Sequence, residues 1–162
     1  MNIIVAVGKN LGIGYKNDLI YNISEDKKFF RRTTLEKVVV MGRKTFLSLP
    51  NSAPLKNRTN IVMSRDKDFN ADGVIVCHSK EELMHFLENY DSKDIYVIGG
   101  AEIYAELFDL CDTAIITKID DEKPADKFFP DIDSMENWKL GDISEDYDDN
   151  GIRYRFCTYI KA

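Results

Sequence analysis

Ile95-Tyr96-Val97-Ile98-Gly99-Gly100-Ala101-Glu102-Ile103-Tyr104 is the stretch on which the fold turns. Its first four residues are apolar or aromatic and mostly β-branched, as in a strand covered on both faces; the glycine pair halts it, and Ala101 to Phe108 continues as a helix. The same order of strand, glycine and helix occurs at Val38-Val39-Val40-Met41, Gly42 and the run from Arg43 to Leu49, where Pro50 ends the helix. Ile3 to Val7, bounded by Gly8, is a further short apolar run. Alternating units of this kind predict an α/β fold: a central, mostly parallel twisted sheet with helices on both faces. Such sheets bind ligands beyond the carboxyl ends of their strands.

Working outward, Asn60 to Met63, Val74 to Val76 and Ala114 to Ile119 read as further strands. Ser79 is placed to cap a helix running to Tyr90, because Leu83, Phe86, Leu87 and Tyr90 recur at helical spacing. Arg153 to Ile160 alternates charged with aromatic residues, and the turn pair Asn150-Gly151 precedes it, which predicts an antiparallel C-terminal edge hairpin with the segment from Trp138. Between the first strand and the first helix lies a polar, glycine-spaced connection, with Gly8, Gly12 and Gly14 among Lys9, Asn10, Lys16, Asn17 and Asp18, read as a loop able to move over a site. Ser24 is the expected N-cap of that helix, which carries Glu25 and Asp26 in its first turn and runs to Thr34.

The 162 residues fit one domain, 1–162, without internal repeat or linker. A hydrophobic fraction of 44% against 31% charged residues supports a packed core and excludes general disorder. A net charge of -6 removes the broad positive field that sequence-independent nucleic-acid binding requires. Cys77, Cys111 and Cys157 are odd in number and form no CxxC pair, so neither a disulfide framework nor a zinc site is indicated, and a reducing cytoplasm suits them. No segment has the roughly 20 apolar residues of a membrane span, and the start lacks the basic flank of an export signal. The expectation is a cytoplasmic monomer with neither nucleic acid nor membrane as partner.

Gly42-Arg43, Gly99-Gly100 and the glycine-spaced loop all fall where this architecture places a ligand, and all suit phosphate. Glycine admits an anion to the backbone, and the following helix directs its free N–H groups at it. No G-x-G-x-x-G is present, and a glycine pair after a strand is equally a tight turn. Arg43 can grip a phosphate bidentately or be a plain surface arginine. Asp26 shares a helix face with Phe29 and Phe30, three and four residues on, so its carboxyl either meets a nitrogen heterocycle beside an aromatic wall or is a first-turn acid facing water. His78 and His85 have no partner at ligand spacing, and no metal is expected.

Taken in order, these segments resemble dihydrofolate reductase, of the bacterial type, over nearly the whole chain. The resemblance rests on Ile4-Val5-Ala6-Val7, Gly12-Ile13-Gly14 with Asn17-Asp18-Leu19, Asp26 followed by Phe30 and Thr34, and Val40-Met41-Gly42-Arg43-Lys44-Thr45-Phe46. It continues through Arg58-Thr59-Asn60-Ile61-Val62-Met63-Ser64, Val97-Ile98-Gly99-Gly100-Ala101-Glu102-Ile103-Tyr104, Thr117 and Phe129-Pro130. The resemblance implies NADPH-dependent reduction of dihydrofolate, with Asp26 binding the amino-pyrimidine edge and promoting protonation, Thr117 bonded to Asp26, and Tyr21 beside the water network. It implies that Ile4, Val5, Ala6, Phe30, Leu49, Leu55 and Ile98 line the substrate pocket, that Arg58 pairs with the glutamate tail, and that antifolates compete there.

For NADPH the resemblance implies Arg43, Lys44, Ser64 and Arg65 at the 2′-phosphate and Thr45 at the phosphates. Gly42, Gly99, Gly100, Ala101, Glu102 and Ile103 would face the pyrophosphate, with Ala6, Ile13, Gly14, Asn17, Leu19, Met63, Ile98 and Tyr104 along the rest of the cofactor. The family's glycine pair is often joined by a cis peptide, and the loop from Lys9 to Ile23 matches its mobile lid. This chain departs from the usual pattern at Ile20-Tyr21, where Pro-Trp is frequent, and at Phe46, Lys44 and Asn57. A pyrimidine reductase of riboflavin synthesis shares the fold and the reductant, but Asp26 with Phe30 and Arg58 argues against it. A nucleotide-binding module without catalysis is the other alternative.

Overall fold

A computed structural model describes all residues 1–162. In chain order the strands are β1 (Asn2–Val7), β2 (Gly12–Tyr15), β3 (Asp18–Leu19), β4 (Val38–Gly42), β5 (Thr59–Met63), β6 (Ile75–Cys77), β7 (Ile95–Gly99), β8 (Thr113–Ile119), β9 (Lys127–Phe128), β10 (Trp138–Ile143), β11 (Tyr147–Asp149) and β12 (Ile152–Lys161). The helices are α1 (Ser24–Thr34), α2 (Arg43–Ser48), α3 (Lys80–Leu87) and α4 (Ala101–Leu107). Nine strands form one sheet in the order β10-β12-β8-β1-β7-β4-β5-β6, with β11 pairing beside β12. β8, β1, β7, β4, β5 and β6 run parallel, and β12 joins β8 antiparallel.

Side chains alternate across the pleat, so each strand feeds two faces. Ile3, Val5, Val7, Val38, Val40, Ile61, Val97 and Ile116 enter a core of 24 buried residues that also takes Leu83 and Leu87 of α3 and Leu107 of α4. Each such side chain contributes about 1.5–3 kcal/mol by leaving water, which makes this face the main source of stability. The other face is different. Val39, Met41, Val62 and Phe46 of α2 form one small cluster, and Ile23, Ile119 and Tyr154 form another. The strands between them carry Ile4, Ala6 and Ile98, and no continuous core bridges the two clusters.

Besides α3, which ends at Leu87 rather than Tyr90, three elements differ from the sequence expectation. The cap of α1 is Ile23, not Ser24, and no side chain bonds there. Ile23 is buried and its carbonyl accepts from the Lys27 N–H at 3.0 Å, so apolar anchoring fixes this helix start while Glu25 and Asp26 meet the dipole. The C-terminal hairpin is divided: Asn150-Gly151 (φ 52° and 88°) joins β11 to β12, whereas β10 pairs with the far end of β12. Ser144 fills the break, its N–H donating to the Phe156 carbonyl and its Oγ accepting from the Phe156 N–H. β10 and β11 are therefore the edge, and β12 is internal. Finally, the polar loop after β1 contains β2 and β3, which join β9 in a separate three-stranded sheet.

Candidate active site

Asp26 lies on the inner side of α1, half-buried, and accepts a 2.6 Å hydrogen bond from the Thr117 hydroxyl. Thr117 is on β8, 3% exposed, and points to the face where the core is interrupted. Burial pushes the Asp26 carboxyl above its ordinary range, and the Thr117 hydrogen bond opposes this by favouring the charged form; burial is the larger effect. The two phenylalanines on its helix face have separate tasks. Phe29 stacks on Phe156 of β12 with ring centroids 4.2 Å apart, fixing α1 to the sheet, while Phe30 pairs with no other ring.

Leu49, Leu55 and Ile98 pack against the α2 cluster and Ala6 against the Ile23 cluster, so they flank the gap beside Asp26. Leu55 is held by the buried Asn60, whose amide accepts from the Leu55 N–H at 3.0 Å and donates to its carbonyl at 2.9 Å. In the sequence Asn60 reads as the start of a strand and as part of the matched stretch Arg58 to Ser64, and nothing local marks it as the brace of the Leu55 loop. Arg58 Nε donates to Thr34 Oγ1 (3.3 Å), and its terminal nitrogens donate to the Lys56 and Arg31 carbonyls (2.8 and 3.4 Å). Burial and the neighbouring Arg31 lower its pKa, yet a guanidinium stays charged, and its five donors leave two for a ligand.

Strands β4 and β7 end side by side, and each hands over to a helix through glycine. Neither α2 nor α4 has a side-chain cap, so their first N–H groups have no side-chain acceptor. Gly99 has φ +124°, a left-handed conformation suited to glycine, and the Gly99-Gly100 peptide is cis. A Cβ on Gly42 would stand 3.0 Å from Ile103 Cγ1, and one on Gly99 would stand 3.4 Å from the Tyr104 hydroxyl. That hydroxyl donates to the Ile4 carbonyl at 2.7 Å. Thr45 Oγ1 borders Gly100. These uncapped N–H groups beside glycine backbone that carries no side chain of its own fit a pyrophosphate.

Arg43 pairs with Asp66 at 3.4 Å and Arg65 with Glu102 at 3.6 Å, both in exposed positions. Such pairs contribute roughly 0–1 kcal/mol and open readily for a better anion. Lys44 is exposed and Ser64 half-buried, with the Ser64 carbonyl 2.9 Å from His78 Nδ1. Val5, Ile13, Met63 and Tyr104, expected along the ligands, have their side chains in the large core instead, because strand alternation or helix register turns them away from the gap. Only their backbones and edges are left to face a ligand.

The dihydrofolate reductase family model matches residues 1–161. The chain belongs to the dihydrofolate reductase family. It is 37% identical to the dihydrofolate reductase of Neisseria meningitidis serogroup B, over 99% of this chain and 98% of that one, and 34% identical to that of Bacillus subtilis, over 99% and 94%. The dihydrofolate reductase of Rattus norvegicus is 35% identical, with 99% and 97% covered. Among solved structures, dihydrofolate reductase from Enterococcus faecalis complexed with NADP(H) and RAB-propyl superposes with a TM-score of 0.88 at 32% identity, over 99% of this chain and 95% of that one.

In this member of the dihydrofolate reductase family the loop after β1 is backed along its length by residues 120–129. The Asp121 carbonyl accepts from the Lys9 N–H (3.0 Å) and the Tyr21 hydroxyl (2.8 Å). Burial, and then the Asp121 charge, raise the Tyr21 pKa, and Lys123 Nζ stands 5.1 Å from its ring centre. The Asp126 carboxylate accepts from the Lys16 N–H at 3.0 Å, and the Asp126 N–H donates to Gly14. Asn17 is in the left-handed region and Leu19, 81% exposed, stands clear of the core. No local pattern in the sequence marks Asp121 or Asp126, whose partners are a hundred or more positions away.

Proposed function

We propose that this chain reduces 7,8-dihydrofolate to 5,6,7,8-tetrahydrofolate with NADPH, and that residues 1–162 do so as one domain, a cytoplasmic monomer that antifolates also bind. The observation that carries this reading is the half-buried Asp26 carboxyl, tied to Thr117 on the sheet face where the core is interrupted. Asp26 binds the amino-pyrimidine edge of the pterin and promotes protonation of the ring nitrogen next to the hydride-accepting carbon. Its burial keeps the neutral and charged forms closer in energy than in water, as proton management near neutral pH requires. Thr117 holds one carboxyl oxygen and leaves the other for substrate.

Ile4, Ala6, Phe30, Leu49, Leu55 and Ile98 hold the pterin and benzoyl rings, and Arg58 offers its remaining donors to the glutamate carboxylate. Arg43, with Lys44, Ser64 and Arg65, takes the 2′-phosphate by exchanging Asp66 for a doubly charged partner. The N-termini of α2 and α4, with Thr45, Gly42 and Gly99 to Ile103, receive the pyrophosphate. NADPH, when bound, supplies the hydride. Gly14, Asn17 and Leu19 close over the reacting rings and exclude water, and Tyr21 borders the entry of the proton-carrying water.

Following the reduced-nicotinamide absorbance of the full chain with each of two substrates tests this reading. Turnover with dihydrofolate, and none with a ribosylamino-pyrimidine phosphate, is the expected result. Turnover with the ribosylamino-pyrimidine alone, or binding of NADPH without turnover of either substrate, overturns it.

A further inference from the structure

A cavity of about 430 Å³ lies on the opposite face of the sheet from Asp26, under the root of the loop that follows β1. Strand alternation fixes the side. Thr117 points to Asp26, so Ile116 and Lys118 point the other way. Registered with them across the sheet are Val7 of β1 and Arg155 of β12. The floor is apolar, with Val7, Ile116 and Ile132, and the rim is charged. The volume falls within the range of about 300–1,000 Å³ that small-molecule sites occupy.

The rim charges nearly cancel by pairing. Lys9 binds Asp120 at 3.0 Å, Lys118 binds Asp133 at 2.7 Å, and Arg155 meets Asp146 at 3.7 Å. The Lys118 pair is further fixed by Tyr159, whose hydroxyl donates to the second Asp133 oxygen at 2.6 Å and whose ring lies 5.2 Å from Lys118 Nζ. Two lining charges are left over, one of each sign. Arg153 has no carboxylate within 4.0 Å, and Asp131 has no cation within that distance.

We propose that this cavity is a second ligand site, which takes an amino-acid-sized zwitterion with an apolar body, its carboxylate at Arg153 and its ammonium at Asp131. A ligand of one sign would satisfy one of these residues and leave the other as it is; a zwitterion satisfies both and keeps the rim neutral. Gly8, Lys9 and Leu11 line the same cavity and begin the loop over the catalytic face, so an occupant touches the loop from behind. Apart from Lys9 and Leu11 at the root of the loop, none of the lining residues named here is assigned to the reductase site, and the cavity's existence does not depend on which substrate is reduced.

Amide chemical-shift mapping of the isotope-labelled full chain tests the proposal with three probes: phenylalanine, N-acetylphenylalanine, which keeps only the negative charge, and phenylalaninamide, which keeps only the positive one. Phenylalanine is expected to give saturable shifts at Gly8 to Leu11, Lys118 to Asp120 and Phe129 to Asp133, with both single-charge probes binding about tenfold or more weakly. Arg153→Ala and Asp131→Asn each remove a comparable factor, and both sites are exposed enough for the fold to tolerate the change. Absence of saturable shifts, equal affinity for the three probes, or unchanged binding in both variants overturns the proposal. So do shifts confined to the Asp26 face.

Discussion

Asp26 and Arg43, the residues proposed to meet the pterin and the 2′-phosphate, each work against their own local environment. Asp26 is an acid in a helix first turn, a position ordinarily solvated, but it is drawn inward onto the sheet, where burial raises its pKa against the opposing effect of the Thr117 hydrogen bond. Arg43 begins a helix, where a cation is unfavourable, and its Asp66 partner at 3.4 Å offsets that only weakly. An incoming phosphate monoester relieves both defects. Arg43→Ala is therefore expected to weaken NADPH by about 1.5–3 kcal/mol through loss of a charge-assisted bond, and NADH hardly at all. Isothermal titration of both cofactors reads this directly, and equal losses would remove Arg43 from the 2′-phosphate.

At the scale of elements, the small sheet of β2, β3 and β9 shapes the loop over the site. Asp126→Ala removes the Lys16 N–H bond while the backbone bond from Asp126 to Gly14 stays. An exposed hydrogen bond contributes about 0.5–1.5 kcal/mol, so amide exchange in β2 and β3 should quicken by roughly two- to tenfold with β1 and β8 unchanged. Unaltered exchange in β2 would mean that the backbone pairing alone holds the loop. The parallel strands and α1 to α4 were legible in the sequence because β-branched runs ending in glycine and helices with an apolar stripe are local signals. The small sheet was not, since two- to four-residue strands carry no period, and the pairing of Gly12 with Phe128 is set by tertiary contact. The same holds within the site: Asp26 and Arg43 stand beside local patterns, whereas Asn60, Asp121 and Asp126 act on loops that only the folded chain brings to them.

For the molecule as a whole, the interrupted core on the α1 and α2 face is where fold stability is given up for a site. A carboxyl harder to ionise in the folded than in the unfolded chain supports folding only while protonated. That support is complete below the unfolded value near 3.9 and is lost as pH rises through the raised folded value. Above that range the shift thus weighs against the fold. Asp26→Asn, which never ionises and still accepts from Thr117, should raise Tm at neutral pH, with the gain shrinking as pH falls into the carboxylate range. A Tm equal to or below that of the wild type at neutral pH would show that Asp26 is solvated.

The most direct test is the single-turnover rate of hydride transfer from bound NADPH to dihydrofolate, measured across pH in the wild type and in Asp26→Asn. The wild-type rate is expected to follow an ionisation above the ordinary carboxylate range, and the variant to lose that dependence and run about 10²–10⁴-fold slower at neutral pH while binding NADPH normally. A variant that transfers hydride at the wild-type rate throughout would contradict the role of Asp26 outright.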